Sequence, residues 1–132
     1  MFQWLPFIVY AGFIFYLSAQ PYIEIPGGIL FLDPESLLLH LIEYIPLGFL
    51  AARAVSKTPR LSSYDPFFFP VLISATYGLT DEAHQYFVPG RTASLLDATA
   101  DALGVIFGVC LWGLLFRKFL KDWVDRKQTV SE

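Results

Sequence analysis

The sequence predicts an all-α fold: an integral membrane bundle of four transmembrane helices with both termini cytoplasmic. Three observations carry this. The 132 residues are 55 % hydrophobic and only 16 % charged, with a mean hydropathy of +0.53, far more apolar than an average soluble domain. The charged residues cluster, leaving four apolar stretches of about 20 residues, long enough at about 1.5 Å per residue to cross a hydrocarbon core of about 30 Å. The basic residues also sort to one side once those stretches are drawn as crossings. A formal charge of −3 with nine Lys and Arg leaves no sustained basic surface, which argues against nucleic acid as a partner.

The first segment, residues 2–19, is FQWLPFIVYAGFIFYLSA, rich in aromatic and β-branched residues and without charge. Trp4 and Pro6 stand where a cleavable signal peptide carries its basic residues, and the small pair Ser18-Ala19 runs into Gln20-Pro21, so a retained helix is preferred. The second segment covers residues 36–55, the third 66–87 and the fourth 94–119. The intervening stretch 20–35 contains Pro26-Gly27-Gly28 and reads either as a short hairpin or as an interfacial turn. Val88-Pro89-Gly90-Arg91 reads as a tight turn, after which Thr92 or Ser94 is available to cap the fourth helix. The membrane domain is expected over 1–120, with a short cytoplasmic tail at 121–132 in which Trp123 lies among charges at the headgroup level. Cys110, the single cysteine, has no intrachain disulfide partner and reads as a buried, inert thiol.

Orientation follows from the retention of Lys and Arg on the cytoplasmic side. The loop between segments 2 and 3 carries Arg53, Lys57 and Arg60, and the C-terminal region carries Arg117, Lys118, Lys121, Arg126 and Lys127. Of the nine basic residues only Arg91 falls on the other side, where the first outer loop holds Glu24, Asp33 and Glu35. A three-crossing arrangement would divide the basic residues between the two sides.

Several ionisable residues interrupt the apolar segments. Each costs about 2.5–3.5 kcal/mol near the bilayer centre if unpaired, so by default each marks a bundle interior or a wet cavity. His40 and Glu43 share a face of segment 2, three residues apart. Ser74, Gly78, Asp81 and Gln85 line one face of segment 3, with His84 beside it and Glu82 about 100° away. On segment 4 the stripe Asp97, Asp101, Gly104, Gly108 faces another helix closely, because small residues let two backbones approach. Counted inward at about 1.5 Å per residue, these groups from three helices meet about 5–12 Å below the outer ends. A single polar pocket in the outer half of the membrane, open to the extracytoplasmic side, is the expectation. Each residue also has a plainer reading: Asp97 as the acidic member of a capping box begun by Ser94, Arg91 as a partner of a carboxylate or lipid phosphate, His40 as a satisfied core histidine.

The stretch TDEAHQYFVPGRTASLLDATADALGVIFG resembles the signature of the VanZ-like family, in which Asp-Glu-x-x-Gln-x-Phe-x-Pro-Gly-Arg precedes Ser-x-x-Asp, then Asn or Asp, then Gly. His40-Leu-Ile-Glu-Tyr44 echoes the family's upstream His and Tyr, and Phe15-Tyr16-Leu17-Ser18 with Gln20-Pro21 resembles the end of its first helix. The resemblance implies an integral protein of the bacterial plasma membrane, in a family whose founding member is associated with resistance to the glycopeptide teicoplanin. The family's polar residues correspond here to His40, Asp81, Glu82, Gln85, Arg91, Asp97 and Asp101. Leu37 stands where the family often has Lys, and Asp101 where it often has Asn, so the pocket here is more acidic.

Several functional classes fit these residues. In one, an outward-facing pocket binds or acts on a lipid-linked envelope component or glycopeptide. Its catalytic candidates are then His40, Asp81, Glu82, Arg91, Asp97 and Asp101, with Glu43, His84, Gln85 and Arg91 as ligand-binding groups; Glu43 also joins Asp97 and Asp101 as a possible general acid or base, and Arg91 suits a bidentate grip on phosphate or carboxylate. No activated nucleophile is evident in the spacing of Ser94 or Thr80. In another, the same set holds a divalent cation as a metal-dependent enzyme, oxygen ligands suiting Mg²⁺, Ca²⁺ or Mn²⁺ and two His with a carboxylate suiting Zn²⁺. In a third, the polar groups are an interhelical hydrogen-bond network within a non-catalytic scaffold. A transporter is the weakest reading, because the inner half of the path is apolar.

Overall fold

The computed structural model describes residues 2–21, 37–62, 64–116 and 121. Among these the chain is all-helical. A 3₁₀ turn, Phe2–Trp4, leads into α1 (Leu5–Ser18), followed by α2 (Leu37–Ser56), α3 (Phe68–Gln85) and α4 (Leu95–Leu115). The expectations for the outer stretch at 22–36, for Arg117 and Lys118, and for Trp123 and the rest of the tail lie outside the described residues.

Local chemistry sets the helix ends. Pro6 sits in the first turn of α1, where its missing N–H is no loss. The carboxylate of Asp65 accepts the amides of Phe67 and Phe68 at 2.8 and 2.7 Å, so α3 starts two residues later than the apolar run that predicts it. Past α3, the Arg91 amide donates to the Val88 carbonyl at 3.1 Å, with Pro89 and Gly90 at the centre of the turn. Gly90 has φ 77°, the left-handed value that the third position of a type II turn demands. Ser94 then caps α4, its hydroxyl accepting the Leu96 amide at 3.1 Å.

The helices alternate in direction. Near one end the Trp4 indole and the Gln3 amide donate to the hydroxyl of Thr58, just past α2, and Arg53 donates to the Gln3 carbonyl. At the other end Ser18 of α1 reaches Asp81 of α3, and His40 of α2 reaches Asp101 of α4. Thus α1 and α3 finish where α2 and α4 begin, and the titratable residues of the interior gather at that end.

The tightest pairing is α2 against α4, which run parallel. The buried stripe of α4 is Asp97, Ala100, Asp101, Gly104, Val105, Gly108, Val109 and Trp112, the three- and four-residue spacing of one helix face. A Cβ at Gly104 would run into the Leu41 carbonyl, one at Gly108 into the Ile45 carbonyl, and one at Gly48 into the Val105 carbonyl. Small residues are therefore what brings these backbones together, as expected for Gly104 and Gly108. Cys110 lies on the opposite side of α4 and is exposed, not buried as its apolar surroundings suggested. Two residues past Gly108, it sits about 200° round the helix from the buried stripe.

Among the described residues, α2 and α4 alone are long and apolar enough by themselves to cross a membrane; the 3₁₀ turn and α1 form a shorter apolar helix. The last turns of α3 hold Asp81, Glu82 and His84, which lower its hydropathy where the polar cluster lies. Ile8, Val9, Phe13, Leu72, Leu79, Phe107, Leu111 and Leu114 are all exposed, so the outer faces of α1, α3 and α4 are as greasy as the interior.

Candidate functional site

Two linked polar groups occupy the end of the bundle where α2 and α4 begin. The first centres on Asp81, 4 % exposed. The Ser18 hydroxyl donates to its Oδ1 at 2.7 Å, and the Tyr44 hydroxyl and Gln85 amide donate to its Oδ2, each at 3.4 Å. Convergence of three donors suits a carboxylate, which offers about four lone-pair sites and no donor when ionised. Ser18 also reaches the Phe15 carbonyl at 3.1 Å, so one hydroxyl joins the end of α1 to α3.

The second group centres on His40, whose Nδ1 lies 3.0 Å from Asp101 Oδ1. Glu82 projects from α3 toward the same place, and one ligating atom each from His40, Glu82 and Asp101 all lie within 4.8 Å of one another. Glu82 Oε2 accepts the Ser94 amide at 3.0 Å. That amide is the donor an acidic residue three positions into the helix ordinarily takes in a capping box. The neighbouring helix supplies the carboxylate here, while Asp97 is buried beside His40, Glu82 and Asp101 and interacts electrostatically with all three. Two carboxylate oxygens, Glu82 Oε1 and Asp101 Oδ2, are buried with no hydrogen-bond partner among the described residues.

A cavity of about 470 Å³ opens beside these groups, between α1, α2 and α3. Its polar wall includes Ser18, His40, Glu43, Asp81, Gln85 and Arg91. Its apolar wall includes Phe13, Leu17 and Ile42, which are exposed on the outer surface of the bundle. Pro46 also lines it. Lacking an N–H, Pro46 cannot donate to the Ile42 carbonyl one turn back, so the cavity borders a helix backbone with one ladder bond missing. Glu43 Oε1 is buried without a hydrogen-bond partner among the described residues, and the Tyr10 hydroxyl donates to the Glu43 carbonyl at 2.9 Å.

Of the residues singled out from sequence, His40, Glu43, Asp81, Gln85 and Arg91 share the cavity, while Glu82, Asp97 and Asp101 gather behind His40. His84 does neither: its ring packs on Phe15 with centroids 4.5 Å apart and planes 33° apart. Any cation site here therefore has one imidazole, not two. Arg91 Nε and Nη2 donate to the carbonyls of Gln20 and Leu17, each at 3.2 Å, holding the last turn of α1. Sequence reasoning assigned no role in the pocket to Ser18, Tyr44 or Tyr10. A lone hydroxyl in an apolar helix has no periodic signature; the resemblance of residues 15–21 to the end of a family helix pointed toward Ser18, and the His40–Tyr44 spacing toward Tyr44.

Among the described residues the chain is all-helical, with two spanning-length apolar helices, greasy outer faces and a buried polar cluster at one end, the features of a membrane-embedded helical bundle. A family model described as VanZ/LLP1 matches residues 2–117, and the chain belongs to that family. No curated protein and no solved structure matches the chain.

Proposed function

We propose that the chain is a multi-pass protein of the bacterial plasma membrane, with four crossings and cytoplasmic termini, whose cavity binds the polar head of a lipid-linked envelope component. The observation that carries this is the make-up of the cavity: a polar wall of His40, Glu43, Asp81 and Arg91 faces an apolar wall of Phe13, Leu17 and Ile42 that is continuous with the outer surface. An amphiphile lying in a bilayer presents that same pairing of head and chain. The alternating helix directions support four crossings, since the 3₁₀ turn with α1 is about 27 Å long and α3 similar, close to a hydrocarbon thickness of about 30 Å. The positive-inside rule supports the orientation, and places the polar end outward. A contribution to teicoplanin resistance is part of the same proposal, through the family.

A purely structural network is the second reading, favoured by the bonds that tie Ser18 to Asp81 and Arg91 to the end of α1. His40→Ala, Arg91→Ala and Asp97→Asn separate the two when membrane expression and envelope-antibiotic susceptibility are measured together. Normal expression with a lost susceptibility phenotype supports a working site, and loss of both supports the network. Three variants normal in both assays would sink the pocket reading.

A further inference from the structure

We propose that His40, Glu82 and Asp101 form a binding site for one divalent transition-metal cation, of the Mn²⁺ or Zn²⁺ kind, behind the wall of the cavity. Three elements bring one ligand each: His40 from the start of α2, Glu82 from the end of α3 and Asp101 from the first turns of α4, all three buried. With metal–ligand bonds of about 2.0–2.2 Å, donors around a tetrahedral ion sit about 3.4 Å apart. Atoms already within 4.8 Å of one another need only small side-chain adjustments to close on it.

Independent of this spacing, Glu82 Oε1 and Asp101 Oδ2 are buried with no hydrogen-bond partner among the described residues, on residues only 6 % and 2 % exposed. A buried carboxylate oxygen is normally satisfied, because the loss of its hydration must be offset by a partner. The charge balance points the same way. Among the described residues Asp101 pairs with His40, and Glu82 makes no ion pair. A divalent cation neutralises what one imidazole cannot. A single nitrogen with carboxylate oxygens suits Mn²⁺ or Zn²⁺ better than Ca²⁺, which takes 6–8 oxygen ligands. Three protein ligands leave coordination positions open, and His40, which also lines the cavity, places the ion beside any bound headgroup. The site does not depend on the identity of that headgroup.

The test uses the full chain in nanodiscs, stripped with a chelator and titrated separately with MnCl₂ and ZnCl₂. Bound metal is counted by mass spectrometry, and pulsed electron paramagnetic resonance reads the Mn²⁺-loaded sample for nitrogen coupling. The expected result is about one ion per chain for at least one metal, with binding weakened tenfold or more in Glu82→Gln and Asp101→Asn. Glu82→Gln is the gentler variant, since its amide oxygen still accepts the Ser94 N–H; far-UV circular dichroism checks that both variants keep their helices. The chain has two histidines, so ¹⁴N coupling that persists in His84→Ala assigns the nitrogen ligand to His40, whatever the other variants do. Substoichiometric binding by the unaltered protein for both metals overturns the proposal. So does binding unchanged in both folded carboxylate variants, or ¹⁴N coupling that disappears with His84.

Discussion

Gly108 offers a quantitative test of how the bundle is held together. A methyl group added there would meet the Ile45 carbonyl oxygen and, at 2.7 Å, the Phe49 amide nitrogen, both backbone atoms of α2. No rotamer change relieves a clash with backbone, so Gly108→Ala must push α4 off α2 and weaken the contacts from Tyr44 down to Trp112. Gly12 in α1 is the internal control, because a Cβ there has nothing within 4 Å. Both substitutions gain the same helix preference of Ala over Gly, roughly 0.5–1 kcal/mol. Their difference is therefore the steric cost alone. Overpacking costs about 1–3 kcal/mol where side chains can adjust; with backbone on both sides the upper end applies, about 3 kcal/mol, or somewhat over 100-fold in the unfolding equilibrium. Reversible unfolding in mixed micelles at increasing SDS fraction, followed by circular dichroism, measures both variants against the parent. Gly12→Ala should equal or exceed the parent in stability and Gly108→Ala should fall well below it. Equal stabilities for the two variants would refute close backbone approach as the organising feature of the α2–α4 pair.

Ser18→Ala removes the 2.7 Å donor to buried Asp81 and should cost about 1–3 kcal/mol by the same unfolding measurement, whereas Ser18→Thr keeps the hydroxyl and should recover most of the loss. Gly90→Ala forces an L side chain to φ 77° and should cost about 1–2 kcal/mol, while Pro89→Ala, which keeps a permitted conformation, should cost less. A Gly90→Ala protein as stable as the parent would show that the turn does not hold that conformation.

What could be read from the sequence was whatever repeats with the period of a helix. The stripe from Asp97 through Gly108, the face from Ser74 to Gln85 and the sharing of one level by His40, Asp81 and Asp101 all follow from three- and four-residue spacing. What could not be read lies in contacts between residues far apart in the chain. Ser18 meets a partner 63 positions away. Glu82 takes the amide that local pattern reserves for Asp97, because α3 ends against the start of α4. Arg91 reaches the carbonyls of Gln20 and Leu17, 71 and 74 positions earlier. The exposure of Cys110 was within reach of the same periodicity, since it lies about 200° round the helix from Gly108, whereas the packing of His84 on Phe15 joins residues far apart in the chain.

Whether the cavity between α1, α2 and α3 binds an amphiphile is decided by lipid analysis of the protein extracted from bacterial membranes into nanodiscs without detergent. Ile42, exposed on the outer surface and lining the cavity, is replaced by Trp to fill the apolar wall while leaving every polar group in place. A lipid-linked envelope component should be enriched with the parent protein over bulk membrane and lost from Ile42→Trp. The same lipid composition in parent, variant and bulk membrane would contradict it.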